Sequence, residues 1–146
     1  MLFRSHHQLA IVVMAEARRK GFRVNSLSQF QQIEFTRETF RSKVERIRQG
    51  QGVAGANTMA AYALFVLEAA QYEPDETTAN LVEFLIRRQE KDGSWPALAD
   101  RPPSEGSPFT NAALAIQALK HYGLADSSLA EVDRARVKKS RDAGIA

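Results

Sequence analysis

Few side chains in this sequence have the type and spacing to do chemistry. The acid–base candidates are Glu68, Asp92, Asp100 and Glu105. Asp92 and Asp100 stand among glycine and proline, where aspartate serves turn geometry. Glu68 lies in a strongly apolar stretch, and burial there would raise its pKa toward general-acid use. With Tyr62 and Tyr72 it could line a cavity, and Phe65 and Phe109 could hold an apolar ligand. The simpler expectation for Glu68 is a carboxylate reaching solvent near a helix end. For Tyr62, Phe65, Phe109 and Trp95 it is core packing.

Metal and nucleophile chemistry fare worse. His6 and His7 are adjacent, so on a helix they point about 100° apart and do not chelate one ion together. His121 is distant in sequence. The chain has no cysteine, which excludes disulfides and thiolate metal sites. Leu2 and Ser5 stand where the Cys-x-x-Cys-His haem pattern ending at His6 would need cysteines. No Ser-His-Asp or phosphate-loop pattern occurs. The sequence therefore assigns no catalytic residue, no cofactor and no metal.

Whatever positions these residues is a single domain spanning 1–146, by length. A chain this long buries roughly 70% of its unfolded surface. Hydrophobic residues make up 44% and charged residues 25%, which excludes a disordered chain. Net charge is +3. The basic clusters at Arg18-Arg19-Lys20, Arg37 to Arg48 and Arg134 to Arg141 are interleaved with acids. Without aromatic interleaving they read as wet helix faces, not as a nucleic-acid patch. No apolar run reaches the roughly 18 residues of a membrane span. Leu9 to Ala15 is followed at once by Glu16 and Arg18, so it reads as a buried helix, not a signal peptide. With no cysteine, a reducing, cytoplasmic setting is favoured.

Periodicity predicts six helices in pairs. The first runs from about His7 to Lys20 and stops near Gly21. The second starts at Asn25 or Ser26, with Ser26 and Gln29 as a capping box. Its residues Leu27, Phe30, Ile33, Phe40, Val44 and Ile47 form one apolar stripe. Gly50, Gly52 and Gly55 mark a flexible connection. The third helix, about Asn57 to Gln71, is apolar nearly all round, so neighbours must cover several of its sides. The fourth follows Asp75 as cap, with Leu81, Val82, Phe84, Leu85 and Ile86 inward. After a Gly- and Pro-rich loop from Lys91 to Ser107, the fifth runs from Pro108 to Tyr122, ended by Gly123. The sixth begins near Asp126 to Ser128, capped by Ser128 and Glu131.

The third and fifth helices align at an offset of 52: Thr58 with Thr110, Ala60 with Ala112, Ala61 with Ala113, Ala63 with Ala115, Leu67 with Leu119. The turns Gly21-Phe22 to Asn25, Tyr72 to Asp75 and Gly123 to Asp126 also correspond. Apolar helices thus alternate with amphipathic ones at a period of about 50, the pattern of a stacked α/α array.

One segment is more specific. In Phe84 to Trp95, Gln89 ends a helix where its amide can bond orphaned main-chain groups, Asp92-Gly93 allows a tight turn, and Trp95 can pack between hairpins. This run resembles the Gln-Trp repeat of squalene cyclases and related prenyltransferase-like barrels, the terpenoid-cyclase-like α/α-toroid family. The resemblance extends loosely from about His7 to Lys139, with one well-formed Gln-Trp turn at Gln89, Asp92, Gly93 and Trp95. It implies a ring of inner helices within outer ones, around a cavity for isoprenoid chains. The chain's three hairpins would be half such a barrel: a fragment of a longer protein, an open half-barrel, or one member of a homodimer. The family's Asp-x-Asp-Asp acid motif and its cysteine-containing zinc site are both missing. The resemblance thus implies fold and an apolar ligand, with no catalytic residue. The alternative is a structural or protein-interaction repeat module.

Overall fold

Local capping chemistry sets most helix boundaries in the computed structural model, which describes residues 5–52, 55–96 and 107–125, with 138 and 142. The helices are α1 (Ser5–Arg19), α2 (Ser26–Arg41), α3 (Val44–Arg48), α4 (Ala56–Ala69), α5 (Glu76–Arg87) and α6 (Pro108–Ala125). Among the described residues there is no strand, so the all-α expectation holds.

The α1–α2 and α4–α5 connections are the same turn, fifty residues apart. Gly21 adopts φ 83°, and the Phe22 N–H donates back to the Ala17 carbonyl at 3.0 Å. Gln71 adopts φ 56°, and the Tyr72 N–H donates to the Leu67 carbonyl at 2.9 Å. Each is a left-handed C-terminal cap that satisfies orphan carbonyls. Four residues further on, Asn25 and Asp75 cap the next helices. Asn25 Oδ1 accepts from the Ser28 N–H at 3.1 Å, and Asp75 Oδ1 from the Thr78 N–H at 2.9 Å. The Thr78 hydroxyl completes a capping box at α5 by accepting from the Asp75 N–H. At α2 the cap is thus Asn25 alone, and Gln29, expected to complete a box with Ser26, is buried instead.

The second predicted helix is not continuous. It breaks at Ser42 and Lys43 into α2 and α3. The hydroxyls of Thr36, Thr39 and Ser42 donate back to the carbonyls of Gln32, Phe35 and Thr39. Such back-bonding competes with the main-chain ladder and bends helices. The apolar stripe divides within α2 rather than at the break: Phe40, like Ile47 of α3, is buried, while Leu27 and Phe30 are exposed. Nor does Gly123 end the fifth predicted helix, since α6 runs on to Ala125. The predicted sixth helix, from about 126, lies outside the described residues.

The helices pack in two layers. α4 is central, with α1 on one side, α6 on the other and α5 across a third face. α5 also packs on α2, α3 and α6. Residues Met59, Ala60, Ala61, Ala63, Leu64, Val66 and Leu67 are all at least 97% buried. The alanines let neighbouring backbones close in, so α4 touches three helices at once. Its core continues into Leu81, Phe84 and Leu85 of α5, Leu119 and Tyr122 of α6, and Trp95. The connection before α4 is tight where flexibility was expected. Gly52 is buried at φ 65°, and a Cβ there would meet the Phe84 ring at 2.6 Å.

Candidate functional site

The Gln89–Trp95 turn is held from both ends. Gln89 Nε2 donates to the Gly93 carbonyl at 2.9 Å, and the Glu90 N–H to the Ser94 carbonyl at 2.9 Å. Asp92 Oδ1 accepts from the Ser94 N–H at 3.0 Å, and these bonds keep its carboxyl below the usual range. Gly93 takes φ 86°. The chain then delivers Trp95 into the core, fully buried, with its indole N–H donating to the Leu85 carbonyl at 2.8 Å. That carbonyl belongs to the last turn of α5, which needs outside donors. The next residue's carbonyl, of Pro96, accepts from Asn57 Nδ2 at 3.1 Å and ties the turn to the start of α4.

The aromatic cavity expected around Glu68 does not assemble as one space. Glu68 lines an open cleft of about 460 Å³ between α4 and α6 with Ala113, Ile116, Gln117, Lys120 and His121. Tyr62 and Phe65 are half-buried on α4, and Phe109, expected in a core or cavity, is 87% exposed. Tyr72 is engaged elsewhere: its hydroxyl donates to Asp75 Oδ2 at 2.8 Å, and its ring lies 5.3 Å from the Arg37 guanidinium. Glu68 instead accepts from Gln117 Nε2 at 3.0 Å, with His121 Nδ1 at 3.8 Å. Among the described residues the lining holds no hydroxyl or thiol for that pair to activate. The side chains of His6 and His7 lie outside the described residues.

A second cluster, not foreseen from sequence, joins α2 to the start of α5. Arg37 donates through Nε and Nη2 to Asp75 Oδ2, each at 3.2 Å, and through Nη1 to Glu34 at 2.7 Å. The Glu34 bond chiefly holds the guanidinium in its charged form. Burial, then the Asp75 carboxylate, push the Tyr72 hydroxyl up to about 12. The adjoining groove of about 290 Å³ has an apolar floor of Phe40, Val44 and Ile47 and a rim of Arg37, Arg41, Asp75 and Glu76. Both signs of charge are present, so the groove selects neither anion nor cation. No sequence signal pairs Arg37 with Asp75, which stands 38 residues on and off the repeat period.

The repeat also exposes an edge. At the offset of 50 set by the two turns, Leu9 and Val13 of α1 correspond to Met59 and Ala63 of α4. At 52, these correspond to Asn111 and Ala115 of α6. The α4 and α6 members are at least 97% buried, whereas Leu9 is 48% and Val13 67% exposed. On the second layer, Leu27 and Phe30 correspond to Thr77 and Asn80, which face α2 and α3 across the groove. Leu27 and Phe30 are 63% and 58% exposed. The surface by which one hairpin packs on the preceding one is therefore buried at α4 and open at α1.

The chain matches no protein-family model, and neither the curated proteins nor the solved structures contain a significant match.

Proposed function

We propose that this chain is a helical-repeat scaffold, an α/α-toroid segment of the terpenoid-cyclase-like kind, which works by docking through the open edge of its first hairpin. The observation that carries this reading is the exposure of Leu9, Val13, Leu27 and Phe30 at positions whose repeat equivalents are packed. Four large apolar side chains in register on one hairpin exceed the scattered singles normal for a surface. Burying what remains exposed would contribute about 1–2 kcal/mol each. Recognition by such a surface needs no reacting group.

A second reading has its own observation. Tyr62 and Phe65 are half-exposed on α4, where Ala60, Ala61, Ala63 and Leu64 are buried. In a closed ring they would face inward and form part of a wall for an apolar, isoprenoid-like ligand. Native mass spectrometry of the purified chain tests both readings at once. An assembly supports docking, and a retained apolar mass supports the wall. A ligand-free monomer at tens of micromolar argues against both.

A further inference from the structure

α4 meets α1 at one joint and α6 at another, and the two joints carry different side chains at matching places. At the second, Tyr122 of α6 is 1% exposed, and its hydroxyl donates to the Tyr72 carbonyl in the turn after α4, at 2.9 Å. At the offset of 52, Tyr122 corresponds to Ala70; at the offset of 50, Tyr72 corresponds to Phe22. The first joint thus has a methyl where the second has a phenol. A pocket of about 370 Å³ lies there, between the C-terminal ends of α1 and α4 and the start of α2, with Ala70 in its lining. The neighbours correspond as well. After burial itself, Glu68 bears most on the Tyr122 hydroxyl. Its equivalent, Arg18, lines the pocket and bonds the Ser26 hydroxyl at 3.2 Å. Gln29 also lines the pocket and is 6% exposed, yet its side-chain amide makes no hydrogen bond among the described residues. Buried amides are ordinarily paired. At the equivalent place α5 has Ala79, so only the first joint offers this group. The first joint lacks the aromatic ring and presents a polar group without a partner.

We propose that this pocket binds a small phenol, whose ring takes the place that Tyr122 fills at the second joint and whose hydroxyl meets the Gln29 amide. The volume falls within the roughly 300–1,000 Å³ of small-ligand sites. Val12, Ala15 and Ala69 offer the ring apolar contact, with the guanidinium of Arg18 at the rim. A glutamine amide both donates to and accepts from a hydroxyl. A ring without the hydroxyl leaves that amide unpaired, which is the basis for discrimination. A tyrosine side chain of a peptide carries the same ring, so the probes must separate the two sources. The nitrogen-labelled chain is titrated with p-cresol, toluene and N-acetyltyrosinamide and followed by NMR. p-Cresol should shift the amide resonances of Ala15, Gln29 and Ala70 saturably and bind at least about tenfold tighter than toluene. It should also bind tighter than N-acetyltyrosinamide; the reverse order overturns the free phenol as occupant. Ala70 has φ −80°, which any side chain adopts. Ala70→Tyr should therefore abolish p-cresol binding and raise the melting temperature. Gln29→Ala should keep the fold and remove the preference for p-cresol over toluene, which decides the matter even if Ala70→Tyr does not fold. The absence of a saturable shift with p-cresol overturns the site. Equal binding of toluene by the unaltered chain overturns the phenol class. Binding that survives Ala70→Tyr places the ligand elsewhere and overturns the proposal too.

Discussion

The Tyr122 hydroxyl donates to the main-chain carbonyl of Tyr72 at 2.9 Å, joining two tyrosines fifty residues apart. The bond reaches from α6 to the turn that ends α4 and leads into α5. Tyr122 is 1% exposed, and burial, with Glu68 next, drives its ionisation well above the ordinary tyrosine range. Tyr122→Phe would leave the Tyr72 carbonyl without its buried donor. We expect a loss of about 1–2 kcal/mol in urea unfolding, with little change in far-UV circular dichroism.

The same pair predicts an alkaline transition. An unfolded tyrosine ionises near pH 10, while Tyr72 in the fold is pushed up to about 12, first by burial and then by Asp75. A folded pKa above the unfolded one means that the fold favours the neutral phenol. Its stabilising contribution is complete below about pH 10 and is lost as pH rises from 10 through 12. Melting temperature measured from pH 9 to 12 should fall through that window. Tyr72→Phe should start lower at pH 9 and fall less steeply, since Tyr122 still titrates.

Gln71 holds a left-handed backbone, φ 56°, at the position where the earlier turn has Gly21. A side chain there costs about 1–2 kcal/mol, partly offset by the greater freedom glycine has in the unfolded chain. Gln71→Gly should raise stability by about 0.5–1 kcal/mol. Gly21→Ala should lower it by about 1 kcal/mol, although nothing lies within 4 Å of the added Cβ. Opposite signs at equivalent sites would be read directly from chemical denaturation.

Gly52 and Phe84 form a steric pair. Gly52→Ala places a methyl 2.6 Å from Phe84 Cζ and should cost about 1–3 kcal/mol. Part of that cost is backbone, from φ 65°. The rest should vanish in a Phe84→Leu background, so a double-mutant cycle should show a favourable coupling above about 0.5 kcal/mol. Strict additivity would disprove the contact.

Trp95 should be the most sensitive single side chain. It is fully buried and caps α5 through the Leu85 carbonyl. Trp95→Ala should cost about 3–5 kcal/mol. Gln89→Ala, which removes one bond to Gly93 at the half-buried rim, should cost about 0.5–1.5 kcal/mol. The ratio between the two separates burial from turn geometry.

Sequence alone determined the all-helical class and the helix starts that local caps set. The near-continuous apolar run from Met59 to Leu67 could only be a helix covered on several sides, and α4 is that helix. Asp75 before Glu76, and Ser107 before Pro108, announced helix starts through short-range bonds that need only a few neighbouring residues. The Gln89–Trp95 turn was readable for the same reason: its bonds are local. The tertiary structure decided what depends on partners far along the chain. Hydroxyl bonds of Thr36 and Thr39 in α2, and of Ser42 just after it, accompany the break in a helix that periodicity drew as one. Leu27 and Phe30 carry the same pattern as Phe40 and Ile47, yet only the latter meet another helix. Arg37 finds Asp75 38 residues on, and Glu68 finds Gln117 and His121 about one repeat on. A side chain's periodicity shows which face it lies on; whether anything covers that face is set by packing between segments, which no local pattern encodes.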